Sequence, residues 1–321
     1  MSKSNAIIVL DRGKNTACTI HLHGGTVLSW RIDNKELLYL KQKGAFNDIS
    51  PIRGGINFAF PYVGGSAKGP KHGFARSVPW KLEEGPTTLP DGDVVVVLSL
   101  VPTGYTNSIW NCKFKFTCKV TLALRMLRYD LKVENVCPYF PFTFTILRHS
   151  QFRCVDVRNV DIFGLGNCKY KNLLDKTDKC LEWPSEEVKV NGECRMLFLE
   201  APTEILVRNL RPGLDLKLTS DTKEFVVHNP WDETHKDVPE ESQHYPDEYL
   251  HHVGKARVLG VAFGTLRYKS LLGVGCGVLS NPIKLNPLQA WESHQVVEVV
   301  DYRESGAVRV FDNLYDFIMD E

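Results

Sequence analysis

The segment Lys71-His72-Gly73-Phe74-Ala75-Arg76 sets an imidazole and a guanidinium four residues apart around a glycine, in a stretch that ends at Trp80. Upstream, Pro51-Ile52-Arg53-Gly54-Gly55-Ile56 places a second arginine beside a glycine pair. A guanidinium is a planar, permanently charged fork that matches phosphate and carboxylate oxygens. Histidine is the side chain best suited to exchange a proton near neutral pH. Arg53, His72 and Arg76 together therefore suit a small anionic ligand with proton chemistry beside it. The same residues also fit a surface loop with ordinary arginines and a structural histidine, because residue types alone do not make a site.

Such side chains need a rigid scaffold, and the pattern around them is that of strands. Ala6–Leu10, Cys18–Leu22 and Asp93–Leu100 are short and rich in β-branched residues. Cys112–Leu122 alternates polar and apolar residues, the period of a half-buried antiparallel strand. Tyr129–Val136, Glu204–Arg208 and Gln295–Val300 continue it. Turn formers punctuate the runs, as in Leu89-Pro90-Asp91-Gly92 and Arg211-Pro212-Gly213. No long capped amphipathic helix is visible. The pattern predicts an all-β fold, a large antiparallel β-sandwich, with no βαβ units. No linker divides residues 1–321, so one domain is expected.

Composition narrows the function classes. The chain has 321 residues and a formal net charge of +1, which gives no reason to expect bulk binding to nucleic acid or to an acidic membrane. No apolar run approaches the length of a bilayer span, and neither end resembles a secretory, lipidation or retention signal. The nine cysteines are scattered without a Cys-x-x-Cys pair, which fits buried thiols in a reducing compartment better than a zinc site or a disulfide framework. A cytoplasmic monomer without metal is the expectation. The most polar stretch, Trp231 to Gly254, reads as a long loop near a site, and its scattered His, Asp and Glu also allow a metal patch.

With these residues in view, the chain resembles the hexose-6-phosphate mutarotases (glucose-6-phosphate 1-epimerases), relatives of aldose 1-epimerase. The likeness runs in order through Gly24–Trp30, Glu36–Leu40, Ile52–Ile56 with Phe60-Pro61, and His72–Arg76. It continues through His149-Ser150-Gln151-Phe152, Asn229-Pro230-Trp231 and Asn281–Leu285 with Trp291 and Gln295. The resemblance implies a galactose mutarotase-like supersandwich with a substrate groove on one sheet. It implies interconversion of the α and β anomers of a hexose 6-phosphate, without a cofactor. A base takes the anomeric hydroxyl proton while an acid protonates the ring oxygen, the ring opens, and it closes on the other face. Each positioned group is worth about 10²–10⁴-fold.

By the same resemblance, His149 corresponds to the acid at the ring oxygen and His72 to a second site histidine. Arg53 and Arg76 correspond to a phosphate clamp. Glu204 falls where the family has a site aspartate, though the residues that accompany it there are missing. The family's base glutamate aligns with Gly275, which has no proton acceptor on its side chain, and Ser150-Gln151 replaces Thr-Tyr after His149. Two expectations follow. One is a working epimerase whose base is water, His72 or a carboxylate such as Asp247 or Glu248. The other is a relative that binds a sugar phosphate or a protein partner without turnover.

Overall fold

The computed structural model describes residues 6–41, 50–175, 177, 179–231 and 268–300. More than half of them lie in strands, which form two antiparallel sheets. In spatial order, the first sheet runs β1 (Ile7–Gly13), β2 (Thr16–His21), β3 (Thr26–Ile32), β5 (Ile56–Ala59), β10 (Phe142–Arg153), β19 (Leu271–Leu285), β18 (Glu224–Asn229), β15 (Cys194–Leu199), β12 (Lys169–Asn172) and β13 (Cys180–Glu182), with the short β4 (Lys35–Glu36) paired to β3. The second runs β14 (Glu187–Lys189), β11 (Asp161–Phe163), β16 (Glu204–Arg211), β17 (Leu214–Ser220), β20 (Ala290–Val300), β9 (Met126–Asn135), β8 (Phe114–Leu122), β7 (Val94–Leu100) and β6 (Lys81–Thr88). Among the described residues the one α-helix is α1, Gly104–Ile109, opened by a capping box between Thr103 and Thr106. The all-β sandwich read from the sequence is the fold observed.

The strands form where the sequence alternates. In β8 the even-numbered residues Phe114, Phe116, Cys118, Val120 and Leu122 are buried, while the residues between them face outward. The two expected turns close as read: Gly92 N–H donates to Leu89 C=O, and Gly213 adopts a φ of 71° between β16 and β17. The inward faces of both sheets merge into one apolar core. In β10 the alternation is exploited twice over. Phe144, Arg148, Ser150 and Phe152 point into the core, whereas Leu147, His149 and Gln151 point out onto the opposite face of the first sheet.

One part of the core serves the loop that carries His72 and Arg76. Phe60 is fully buried, with ring centroids 5.1–6.2 Å from those of Phe74, Trp110, Phe114, Phe116 and Phe144. Edge-on packing of this kind adds to the burial of each ring. The backbone of Phe60 also bridges to Gly73, and its carbonyl accepts from Ala75 N–H. Gly73 sits at φ 72°, and a Cβ there would lie 2.1 Å from the Phe60 oxygen, so the approach needs glycine. Further along, Trp80 donates from its indole N–H to Ala75 C=O at 2.8 Å. The loop is thus fastened to the core at both ends. Replacing Phe60 by alanine should lower the unfolding free energy by about 3–5 kcal/mol, the cost of deleting a buried aromatic ring. Urea denaturation followed by tryptophan fluorescence would measure it, and a loss under 1 kcal/mol would show that the aromatic cluster does not hold the fold.

Candidate active site

The outward face of the first sheet carries a groove of about 200 Å³. Its floor is built by neighbouring strands in register. Asn57 of β5 pairs with His149 of β10, His149 with Gly275 of β19, and Gly275 with Val226 of β18. One step along the strands, Gln151 pairs with Gly273, Gly273 with His228, and His228 with Arg195 of β15. Side chains at these positions share a face because strand residues alternate with period two. Arg76 and His72 reach the groove from the loop tied to Phe60, and Leu147, Val226 and Leu279 give it an apolar side.

The centre of the floor is β19, where Gly273, Gly275 and Gly277 alternate with the buried Leu272, Val274 and Cys276. These glycines put no side chain on the groove face. A Cβ at Gly273 would lie 3.2 Å from His149 Nε2 and 3.3 Å from the Cβ of His228. Gly275 has an ordinary extended backbone, yet a Cβ on it would lie 2.9 Å from the Arg148 carbonyl oxygen and 2.8 Å from Leu147 Cδ1. A side chain at 275 therefore requires β10 and β19 to move apart.

The charged atoms of the groove are all basic. Among the described residues that line it are Arg76, Arg195, His72, His149 and His228, and no carboxylate. Arg76 donates from Nη2 to the Lys71 carbonyl at 3.0 Å, and its buried Nε has no hydrogen-bond partner. Burial, with a contribution from the nearby charge of Arg53, lowers the affinity of Arg76 for its proton. His72 is pushed down to about 4, first by burial and then by the charges of Arg76, Lys71 and Arg195. His149 is pushed down to about 3, again first by burial and then by His228, His72 and the two arginines. His228 is lowered by burial as well. An empty groove is therefore cationic through its arginines, and its histidines stay neutral at pH 7. A bound anion reverses the electrostatic part of these shifts.

The tautomers follow from the partners. Gly64 N–H donates to His72 Nδ1 at 3.0 Å, so the proton of neutral His72 resides on Nε2. His72 itself has a φ of 67°, with its N–H donating to Gly64 C=O. His228 Nδ1 lies 3.1 Å from the Cys194 carbonyl, which can only accept, so Nδ1 carries the proton and Nε2 is bare. The rings of His149 and His228 have centroids 5.8 Å apart.

His72, Arg76 and His149, named from the sequence, meet in this groove. Arg53 is exposed and does not line it, although its charge acts on Arg76. Glu204 lies apart from it: it opens β16 in the second sheet and faces solvent. Asp247, Glu248 and the polar stretch beyond Trp231 fall outside the described residues. Sequence reasoning missed Arg195 and His228. His228 directly precedes the Asn229-Pro230-Trp231 motif, which was the available signal. Asn229 is fully buried and its amide donates to the carbonyls of Tyr268 and Leu271 at 2.8 and 2.7 Å, which locks the end of β18 to the start of β19.

The depressed histidines have a consequence for stability. The unfolded chain takes up protons on these imidazoles near pH 6.5, whereas folded His72 and His149 take them up only near pH 4 and 3. Between those limits the unfolded state binds more protons, so folding stability should fall as pH drops from about 6.5 towards 3, less steeply once His72 is protonated near 4. Urea midpoints across this range would show the slope, and the His72→Gln/His149→Gln double variant should flatten it. An unchanged slope in that variant would mean that other groups carry the acid sensitivity.

Comparison with known proteins assigns the chain to a family. The family model described as aldose 1-epimerase matches residues 6–259. The chain is 28% identical over 300 residues to a protein of Cenchrus ciliaris named "Putative glucose-6-phosphate 1-epimerase", covering 91% of this chain and 84% of that one. A protein of the same name from Escherichia coli K12 is 28% identical over 233 residues, covering 66% and 76% of the two chains. The crystal structure titled a "putative mutarotase" from Salmonella typhimurium superposes with a TM-score of 0.72 at 19% identity, covering 92% of this chain and 90% of that one. The match of the family model over most of the chain, on a fold and groove of this form, establishes that the protein belongs to the aldose 1-epimerase family.

Proposed function

We propose that the protein is a hexose-6-phosphate 1-epimerase that opens and recloses the sugar ring by proton transfer, acting in the cytoplasm on a free small-molecule substrate. The observation that carries this reading is the convergence of Arg76 with His72 and His149 in a groove whose described lining has no carboxylate. A neutral sugar gives such a groove no counter-charge, whereas a phosphate does. The Arg76 guanidinium lines the groove and offers a planar fork of donors to phosphate oxygens. Arg195 adds a second cation on the far bank. The names of the plant and bacterial relatives support a phosphorylated hexose.

In this reading Arg76 holds the phosphate, and the apolar wall of Leu147, Val226 and Leu279 supports a carbon face of the ring. His149, as imidazolium, gives a proton to the ring oxygen. The bound phosphate opposes the arginine charges that depress this imidazole, so substrate binding itself favours the protonated acid. His72 presents an N–H from Nε2 and hydrogen-bonds the sugar.

A second reading, a relative that binds the sugar phosphate without turnover, is favoured by Gly275, which lies beside His149 with no acceptor on its side chain.

Magnetisation-transfer NMR of glucose 6-phosphate separates the two. The wild type should accelerate anomer exchange and His149→Ala should return it to background. Ligand broadening by the wild type with no acceleration would instead establish the binding-only reading. Arg76→Ala should weaken glucose 6-phosphate by about tenfold or more, since a charge-assisted hydrogen bond contributes roughly 1.5–3 kcal/mol, and should leave free glucose nearly unaffected. Calorimetry with both ligands tests this, and equal losses would remove Arg76 from the phosphate site.

A further inference from the structure

We propose that His228 is the general base of the ring-opening step, in place of the carboxylate that is missing at Gly275. This deepens the epimerase reading and rests on it.

The base must present a bare acceptor to the anomeric hydroxyl. His72 does not, because Gly64 N–H occupies Nδ1 and its Nε2 bears the proton. His228 does, because the Cys194 carbonyl holds the proton on Nδ1 and leaves the Nε2 lone pair free. Its backbone is fixed from both sides: His228 pairs with Gly273 on β19 and with Arg195 on β15, and the buried Asn229 next to it is bonded to two carbonyls of the β19 entry. The ring lines the groove and is within 5.8 Å of the His149 ring, centroid to centroid.

Gly273 lies between the two strands that carry this pair. A Cβ there would lie 2.8 Å from the His228 carbonyl oxygen, 3.2 Å from His149 Nε2 and 3.3 Å from the His228 Cβ, so only glycine lets β10, β19 and β18 hold the two imidazoles this close. In this proposal the hemiacetal carbon presents its hydroxyl to His228 and its ring oxygen to His149. Charge completes the pairing. His228 is the neighbouring charge that acts most strongly on His149, so protonation of one opposes protonation of the other and the pair favours one proton at a time.

The step balances within the pair. The anomeric O–H proton passes to His228 Nε2, and the O–H electrons become the π bond of the aldehyde. The bond from the anomeric carbon to the ring oxygen breaks, its electrons go to that oxygen, and the oxygen takes the proton of the His149 imidazolium. One proton has moved from His149 to His228 through the substrate. After the aldehyde turns, ring closure runs the transfers backwards and restores both histidines, with no net change in protons or electrons.

The test uses the full chain and glucose 6-phosphate anomer exchange, with ligand binding measured alongside. His228→Asn keeps an N–H near the Nδ1 position for the Cys194 carbonyl and deletes the Nε2 acceptor. Exchange should fall by about 10²–10⁴-fold while sugar-phosphate affinity stays close to wild type. In His228→Ala, added imidazole should restore part of the rate, with a pH dependence that follows the free imidazole. Wild-type exchange in His228→Asn would overturn the base assignment and leave the epimerase reading intact. Absence of exchange in the wild type, with binding preserved, would overturn both.

Discussion

The pairing of β10 with β19 is the constraint on which the rest of the molecule depends. It runs through the middle of the larger sheet, from Phe142 opposite Leu285 to Arg153 opposite Leu271, with one irregularity between Phe144 and Ile146. Because strand residues alternate, this one pairing sets the core and the groove together. On the inner face, Arg148 is fully buried, with its guanidinium 4.9 Å from the centroid of the Tyr129 ring in the opposite sheet and its Nη2 donating to Cys276 Sγ at 3.4 Å. On the outer face, one residue along, His149 is placed against the glycines of β19. A slip of one residue would exchange the arginine with the histidine and destroy both environments at once.

The site is assembled from distant sequence by two different physical means. The strands supply His149, His228 and Arg195 on neighbouring ladders, where hydrogen bonding fixes their spacing. The loop supplies His72 and Arg76, and aromatic packing beneath it does the fixing. Phe60 joins the two, since it follows β5 directly, anchors the aromatic cluster and receives the loop backbone at Gly73 and Ala75. Groove and core are therefore coupled mechanically as well as by sequence.

Much of this was legible from the chain alone. Alternation in Cys112–Leu122 identified a half-buried strand, and Arg211-Pro212-Gly213 identified a turn, because both signals are local. His72, Arg76 and His149 were found through ordered motifs. Arg195 and His228 were not, because nothing local distinguishes a half-buried strand residue that faces a groove from one that faces solvent. Only the register across β15, β18 and β19 shows it. Glu204 illustrates the converse: a plausible carboxylate in a strand-like run lies on the other sheet, and no local pattern reveals which sheet a strand joins. Arg53, a second guanidinium beside a glycine pair, is exposed and acts on Arg76 through its field.

The glycines of β19 limit how this groove can be altered. With no side chain at 275, the Arg148 carbonyl and the Leu147 side chain have closed over the position to within contact distance of where a Cβ would stand. A single substitution there must now reopen the sheet along its central seam before any new side chain can act. Changes in the chemistry of this groove are thereby steered away from the floor and towards its banks, where β18, β15 and the loop can change a side chain without shifting a strand.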